Sequence, residues 1–431
     1  LSELEGEPYS FRKLTKIVNQ IDKISLLREY DFISASINEE KTKNNKINII
    51  LEVSETEKFY VEQINIFGND ITQENVIRDS LEVDEGDPFN ELLHAKSLNN
   101  LRARNIFKNV NSEIVDGSES NKKIVNINVK EKPTGEVLLG AGVGSDGGSI
   151  GFSVSENNFM GQGIKMSASL RVSEDTIRGN LTTDTPNYKY TGKPLRTNIQ
   201  SDVVDKMADS GYEAKKTGFS FGTSIERFDD LFFSPNFSSF YENLTTNSAA
   251  SDNLKKQAGS YFETAFSYNI DYDKRNQKWQ TSEGYRSTFT QSIPVVSDNW
   301  AMLNGYSFTK WIDFDNDLIT KFDFYGRAKN SITGDDVRVS ERLHLPSKKL
   351  KGFVSRAVGP VDGDDYVGGN FTAALNFTST LPMILQSLET VDMRFFVDAA
   401  NVWGVDYRDN YDDSNKIRSS TGITIDWFTP I

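Results

Sequence analysis

The chain contains no cysteine, few histidines, no excess of basic charge and no long apolar run. Without Cys, disulfide bonds and thiolate chemistry are excluded. Only His94 and His344 are present, far apart in sequence, so a two-histidine metal site is not expected. A net charge of -14 argues against nucleic-acid binding, which requires a basic surface. Because no stretch approaches the roughly 18 consecutive apolar residues of a spanning helix, a helical membrane protein is also excluded.

Aromatic residues, in contrast, are abundant. The 28 Phe, 16 Tyr and 5 Trp suit either the aromatic girdles of a membrane barrel or the core of a soluble sandwich.

A length of 431 residues predicts two or more domains. The first residue is Leu1 and no signal peptide is visible, so any export signal is expected upstream of this sequence.

The first 133 residues contain an internal repeat. Residues 6–9 (Gly-Glu-Pro-Tyr) recur as residues 86–89 (Gly-Asp-Pro-Phe), each time before a helical pattern, and the strand at 49–55 corresponds to that at 125–131. Proline just inside a helix start is favourable, because the amide that it lacks has no partner there. The second copy adds a strand at 60–67 and a helix at 73–81, so we predict a strand-helix-helix-strand-strand unit.

This α+β unit resembles the polypeptide-transport-associated (POTRA) domain, with an unrelated small α+β repeat as the alternative. We predict a partial POTRA domain at 1–56 and a complete one at 57–133. The first copy lacks its opening strand and helix, so the sequence is expected to begin inside a domain.

From residue 134 onward, apolar and polar residues alternate with a period of two. Such segments include 164–172, 318–329, 371–378, 391–403 and 417–427. Each predicts a strand with one apolar and one polar face. A membrane barrel turns the apolar face to lipid, whereas a soluble sandwich buries it, and local sequence does not separate the two. Several segments of about ten residues favour the barrel, and we count about fourteen of them.

Polar insertions divide these segments. We predict long loops at 229–253 and 331–370 and a tight turn at 313–317, since outer-membrane barrels have long loops on one side and short turns on the other. The longest insertion contains Leu350, Lys351, Gly352 and Phe353.

Two stretches together resemble the BamA family of outer-membrane barrel assembly factors. They are the loop run 340–360 with 367–370, and the strand run 396–403, Phe-Val-Asp-Ala-Ala-Asn-Val-Trp. The resemblance covers essentially the whole chain. It implies a mixed fold, with α+β POTRA domains followed by a transmembrane antiparallel β-barrel at 134–431, of about sixteen strands in the family. The last strands are missing here, so we expect a fragment truncated at both ends.

The resemblance also implies a site on the inner wall of the barrel. The loop is expected to fold back so that Lys351 meets Asp398, which Phe396 and Ala400 flank on the polar face of the strand. The family carries Arg where this chain has Lys351, and Gly where it has Ala400. Lysine lacks the planar fork that binds a carboxylate through two parallel bonds, so we predict a weaker or single-point contact.

The implied function is the assembly and insertion of β-barrel proteins into the outer membrane. Client strands would be templated at the barrel seam and at a POTRA edge strand. The seam residues are Glu136, Val137, Leu138, Leu139, Gly140, Ala141, Gly142 and Val143, and the edge residues are Val110, Asn111, Ser112, Glu113, Ile114 and Val115. The expected partners are unfolded outer-membrane protein clients, accessory assembly lipoproteins and outer-membrane lipid. The barrel is expected in the bacterial outer membrane and the POTRA domains in the periplasm.

Other functions remain as alternatives. A related outer-membrane secretion transporter or a translocation-and-assembly barrel would share the architecture, whereas a passive porin would lack POTRA repeats. Enzyme motifs are weak: residues 218–222 match a hydrolase elbow, but they lie in an alternating strand with no following helix. Residues 142–147 match a dinucleotide pattern but lead into another strand. No catalytic residue, metal ligand or cofactor is therefore predicted.

Overall fold

The computed structural model describes residues 33–42, 47–55, 59–144, 147–208, 210–278, 280–314, 318–354, 356–362, 365–381, 391–406 and 416–427. The helix predicted in the first repeat copy, near residues 10–24, lies outside this part of the chain. Two compact units are present and are described separately. No helix within the described ranges is long and apolar enough to cross a membrane.

The second repeat copy forms the predicted strand-helix-helix-strand-strand unit. Its elements are β3 (Tyr60–Phe67), α1 (Glu74–Arg78), α2 (Glu91–Ala103), β4 (Phe107–Asp116) and β5 (Lys122–Glu131), preceded by the antiparallel pair β1 (Ile33–Lys41) and β2 (Ile47–Glu55). The sheet order is β3-β5-β4, in which β5 runs parallel to β3 and antiparallel to β4. This order leaves β4 at one edge of the sheet.

A single apolar cluster holds the unit together. Ile77 of α1, Leu101 of α2 and Ile127 of β5 are almost completely buried in it. Burying such side chains stabilises a domain by about 1.5–3 kcal/mol each. The helix predicted at 73–81 is shorter than expected, since α1 ends at Arg78.

The large sheet consists of antiparallel strands, most of which belong to the second unit. They are β6 (Gly135–Gly144), β7 (Gly147–Phe159), β8 (Ile164–Ser173), β9 (Thr176–Thr185), β10 (Leu195–Lys206), β11 (Tyr212–Gly222), β12 (Ile225–Phe228), β13 (Leu231–Thr246), β14 (Gly259–Asp273), β15 (Gly284–Ser297), β16 (Ala301–Phe314), β17 (Leu318–Ser331), β20 (Phe371–Thr380), β21 (Val391–Trp403) and β22 (Arg418–Trp427). Between β17 and β20 the chain forms two single-turn 3-10 helices, Val339–Glu341 and Ser347–Lys349, and the two-residue pair β18 (Val361–Asp362) and β19 (Asp365–Tyr366). A one-turn helix, α3 (Asp252–Lys256), lies between β13 and β14.

The strands follow one another in sequence across the sheet. The order runs from β22 through β21, β20 and β17 to β6, with β12 paired to β13 beside the path. Fourteen strands on the path agree with the predicted count of about fourteen.

Side-chain exposure shows which face of the sheet is apolar. On β21, Phe395 and Val397 are exposed, whereas Phe396, Asp398 and Ala400 are buried. Leu375 on β20 and Ile425 on β22 are also exposed. The apolar faces therefore point outward rather than into a two-layer core, so the sandwich alternative is wrong.

The loop predicted at 229–253 is wrong. Most of it is β13, a strand of 16 residues, and the connection that follows it covers only 247–258. The Ser and Asn residues that suggested a loop belong to a sheet with one polar face. Pro235 lies just beyond the register of β11, which ends with Gly222 opposite Asn236, and the Pro235 carbonyl accepts from Thr223 N at 3.1 Å.

Two further local predictions, that the enzyme motifs lie on strands without a following helix, are confirmed. Residues 218–222 lie within β11, and residues 142–147 join the end of β6 to the start of β7. The tight turn predicted at 313–317 falls between Phe314 and Leu318, whose intervening residues are outside the described part of the chain.

Candidate functional site

The long loop between β17 and β20 packs against the inner face of the sheet. Leu350 is almost completely buried there with Val358 of the same loop, Ala374 of β20, and Ala400 of β21. Phe353 packs against the same cluster. The loop tip, residues 349–353, is thus seated on β20 and β21 by apolar contact.

Lys351 and Asp398 meet at this tip. The Lys351 ammonium lies 2.8 Å from Oδ2 and 3.0 Å from Oδ1 of Asp398, and the Lys351 backbone N donates to Oδ2 at 3.1 Å. Asn376 Nδ2 donates to Oδ1 at 2.8 Å. The predicted contact is present; of the two alternatives, a weaker or a single-point contact, the single-point one is wrong. The ammonium sits between both oxygens, and the backbone amide supplies a further bond.

Three residues close to this pair also shape the site. Lys351 Nζ lies 4.3 Å from the centroid of the Phe396 ring, a distance at which a cation and a ring face attract each other. Ala400 fills the apolar cluster below the loop. Gly352 has a φ of +82°, a conformation that side chains disfavour, so glycine is required for the chain to turn there.

The tip contains a second lysine–aspartate pair, which the sequence analysis did not predict. Lys349 contacts the buried carboxylate of Asp323 on β17, which also accepts from Thr309 Oγ1 at 2.8 Å. Asn376 Nδ2 donates to the Lys349 carbonyl as well, at 2.8 Å, and so links the two lysines. The sequence did place Asp323 on the polar face of its strand, but nothing local connects it to a lysine 26 residues later.

His344, one of the two histidines in the sequence, lies in the same loop. It is half-buried, and its Nδ1 has no water contact and no hydrogen-bond partner among the described residues. Desolvation, together with nearby Arg356 and Arg342, lowers the pKa of His344 to about 3. The imidazole is therefore neutral at physiological pH.

The predicted seam strand is β6, one end of the strand order within the described residues. It exposes apolar side chains on both faces: Val137 and Leu139 on one, and Leu138 on the other. A Cβ added at Gly140 would meet no atom within 4 Å. Close packing therefore does not explain that glycine.

The predicted client-binding edge lies on β4. Val110 is buried, Ser112 and Val115 are half-buried, and Asn111, Glu113 and Ile114 are exposed.

Part of that edge and most of the opposite edge are already occupied. The guanidinium of Arg102 donates to the Val110 carbonyl at 3.0 Å. On β3, Val61 exchanges backbone hydrogen bonds with Gly86 and Asp87, and Ile64 N donates to the Glu85 carboxylate. Among the described residues, β4 beyond Val110 is thus the more open edge.

A metal site is not formed by the described residues, since no three His, Asp or Glu side chains among them are grouped to hold an ion.

Known proteins resemble this chain in both parts. The Omp85 superfamily domain matches residues 158–431, and the surface antigen variable number repeat, a POTRA repeat, matches residues 59–132. The outer membrane protein assembly factor BamA of Neorickettsia risticii is 25% identical over 96% of the chain, and that of Neisseria meningitidis is 23% identical over 99%. The chain spans 57% and 60% of the length of these two relatives.

Solved structures share the fold. The structure of BamA from Haemophilus ducreyi lacking POTRA domains 1–3 matches with a TM-score of 0.76 and 20% identity, over 99% of this chain and 89% of that one. CdiB from Acinetobacter baumannii matches with a TM-score of 0.54 and 11% identity, over 99% of this chain and 77% of that one.

The matched domains and the named relatives indicate the class of the protein and its place in the cell envelope. The two BamA relatives are named as assembly factors, which are not enzymes. The barrel lies in the outer membrane, and its POTRA domain lies in the periplasm. With a matched domain that covers more than half of its residues, the chain belongs to the Omp85 superfamily.

Proposed function

We propose that the chain assembles β-barrel proteins into the outer membrane. The observation that carries this proposal is the loop tip, with Lys351 bound to the fully buried Asp398 on the inner wall. The sequence relatives that match nearly the whole chain are named as assembly factors, which supports the same function.

Client strands would enter at β6. Unpaired backbone groups cost several kcal/mol each in hydrocarbon, so an incoming strand gains much by pairing with an available edge. The exposed apolar side chains on both faces of β6, and the glycines at 140 and 142 that no close contact requires, support this role.

The POTRA edge would act earlier, in the periplasm. The part of β4 beyond Val110 can add a client strand by backbone pairing, since β5 occupies only its other side. Unfolded outer-membrane proteins are the proposed clients, with accessory lipoproteins and outer-membrane lipid as further partners.

Secretion of one dedicated partner protein is a second candidate. The fold likeness to CdiB favours it, although that likeness is weaker than the one to BamA. A passive porin is disfavoured, because the loop tip occupies the inner face of the wall.

Reconstitution in lipid vesicles tests the proposal. Urea-unfolded outer-membrane proteins of different sizes are added, and their folding is followed by heat-modifiable migration on gels. We expect several unrelated clients to fold faster than with empty vesicles. A secretion transporter would accelerate none of them, and that result would contradict the proposed function.

A further inference from the structure

A buried group of charges lies at the start of the long loop, apart from the lysine tip. We call it the root cluster; it comprises Arg338, Glu341, Glu242, Glu263, Lys329 and Tyr261. Arg338 Nη2 contacts the Glu341 carboxylate and lies 3.5 Å from Glu242 Oε2 and 4.0 Å from Glu263 Oε2. The side chains of Arg338, Glu341 and Glu242 are only 4%, 2% and 3% exposed.

An aromatic ring and a lysine complete the cluster. The Arg338 guanidinium lies 4.2 Å from the centroid of the Tyr261 ring, and its Nε and Nη1 have no hydrogen-bond acceptor within the described ranges. The face of the ring therefore takes the place of an acceptor for part of this cation. Glu341 lies 3.0 Å from Lys329 Nζ on β17.

The loop makes different charged contacts with the wall at its start and at its tip. The root cluster joins residues 338–341 to β13, β14 and β17, where Glu242, Glu263 and Lys329 lie. The tip joins residues 349–353 to β17, β20 and β21. The tip therefore supplies an ion pair to β21, the strand next to β22, and Leu345 and Val358 of the loop share an apolar cluster with Val402 of that strand.

The two places differ in their exposure to water. At the tip, the buried carboxylates of Asp398 and Asp323 pair with lysines that keep 28% and 21% of their side-chain surface exposed. At the root, the cation Arg338 is nearly dry, as are both of its nearest carboxylates. Separating charges is costlier where water does not replace the lost partner, so the root is the harder contact to break.

We propose that Arg338 is a positioning residue that fixes the root of the loop inside the barrel independently of the tip. The tip can then leave Asp398, as movement of β21 would require, while the loop stays in the lumen. This inference deepens the proposed function, since it assigns separate roles to the two ends of the loop.

Planar-bilayer conductance of the purified chain tests the proposal. Arg338→Gln should raise the conductance several-fold, because the loop root leaves the lumen. Lys351→Ala should change the conductance little. Arg338→Lys should raise the conductance less than Arg338→Gln does, because lysine keeps the positive charge. Arg286→Gln is a matched control, since Arg286 pairs with Asp271 across two neighbouring strands.

Folding is checked for every variant by heat-modifiable migration. If Arg338→Gln does not fold, Tyr261→Leu removes the ring beneath the guanidinium, leaves all charges in place and should also raise the conductance. Wild-type conductance in a folded Arg338→Gln or Tyr261→Leu variant would overturn the proposal. So would a Lys351→Ala conductance equal to that of the Arg338→Gln/Lys351→Ala double variant. Conductance needs no client, so failure of the proposed assembly function would leave these results unaffected.

Discussion

At the scale of single residues, Asp398 has the most constrained environment in the site. It has no exposed surface, and its two oxygens accept from Lys351, Asn376 and a backbone amide. Lys351 thus contacts both carboxylate oxygens, and its own backbone amide adds a bond. A further donor, Asn376, is supplied by β20.

Removal of the Lys351 ammonium should destabilise the barrel. Loss of one partner from a buried ion pair costs about 3–5 kcal/mol, and we expect about 3 kcal/mol for Lys351→Ala because part of the lysine is exposed. Lys351→Arg should retain stability and assembly activity. The urea midpoint of unfolding and client folding rates measure both effects. The exposed neighbour Lys348→Ala is the control, and an equal effect there would contradict the assignment.

Glu131 makes the POTRA domain sensitive to acid. Burial raises the pKa of this carboxyl, but hydrogen bonds from Thr72 and Ile71 outweigh that effect, so its pKa lies below the ordinary value. A lowered pKa in the folded state stabilises the domain above the unfolded value of about 4.3, and this stabilisation is lost as the pH falls through the folded pKa.

Glu131→Gln should therefore remove part of this acid dependence. We expect the POTRA amides of the variant to exchange faster than those of the wild type at pH 7, and the difference to shrink toward pH 3. Hydrogen exchange monitored on the whole chain measures it. Glu119→Gln, on the same domain surface, is the control; a constant difference across this pH range would contradict the prediction.

At the scale of elements, β4 is the strand on which client binding in the periplasm is proposed. Ser112→Pro removes a backbone amide on the side of β4 that faces away from β5, the same side as the Val110 carbonyl. We expect the rate of client folding to fall while the barrel itself stays folded. Ser112→Ala, which keeps the amide, should behave like the wild type. A proline variant with unchanged client folding would exclude β4 as the binding edge.

Local sequence predicted most elements but not all of their connections. Period-two alternation identified β21 and β22 because each face of a barrel wall meets a different solvent. The same logic failed at β13, where polar residues of the wall resembled a loop. The Lys351–Asp398 pair was found through family resemblance. The Lys349–Asp323 pair and the root cluster around Arg338 join residues that are far apart in sequence. No local sequence pattern predicts such pairs.

At the scale of the whole molecule, the sheet separates lipid from water. Because the chain has no Cys, single introduced cysteines can report this without background labelling. A cysteine at Val397 should react with a lipid-soluble maleimide in membranes, whereas one at Ala400 should be protected. Mass spectrometry of the labelled chain measures the difference. Equal labelling at the two positions would contradict the assignment of the two faces.

The burial of Asp398 also ties the docking of the loop to the removal of water from the inner wall. The carboxylate lies on β21, and the ammonium and the backbone amide of Lys351 are two of the donors that take the place of water around it. A tip that left this site would return the carboxylate to water. Seating of the loop and dehydration of this part of the wall are therefore a single event.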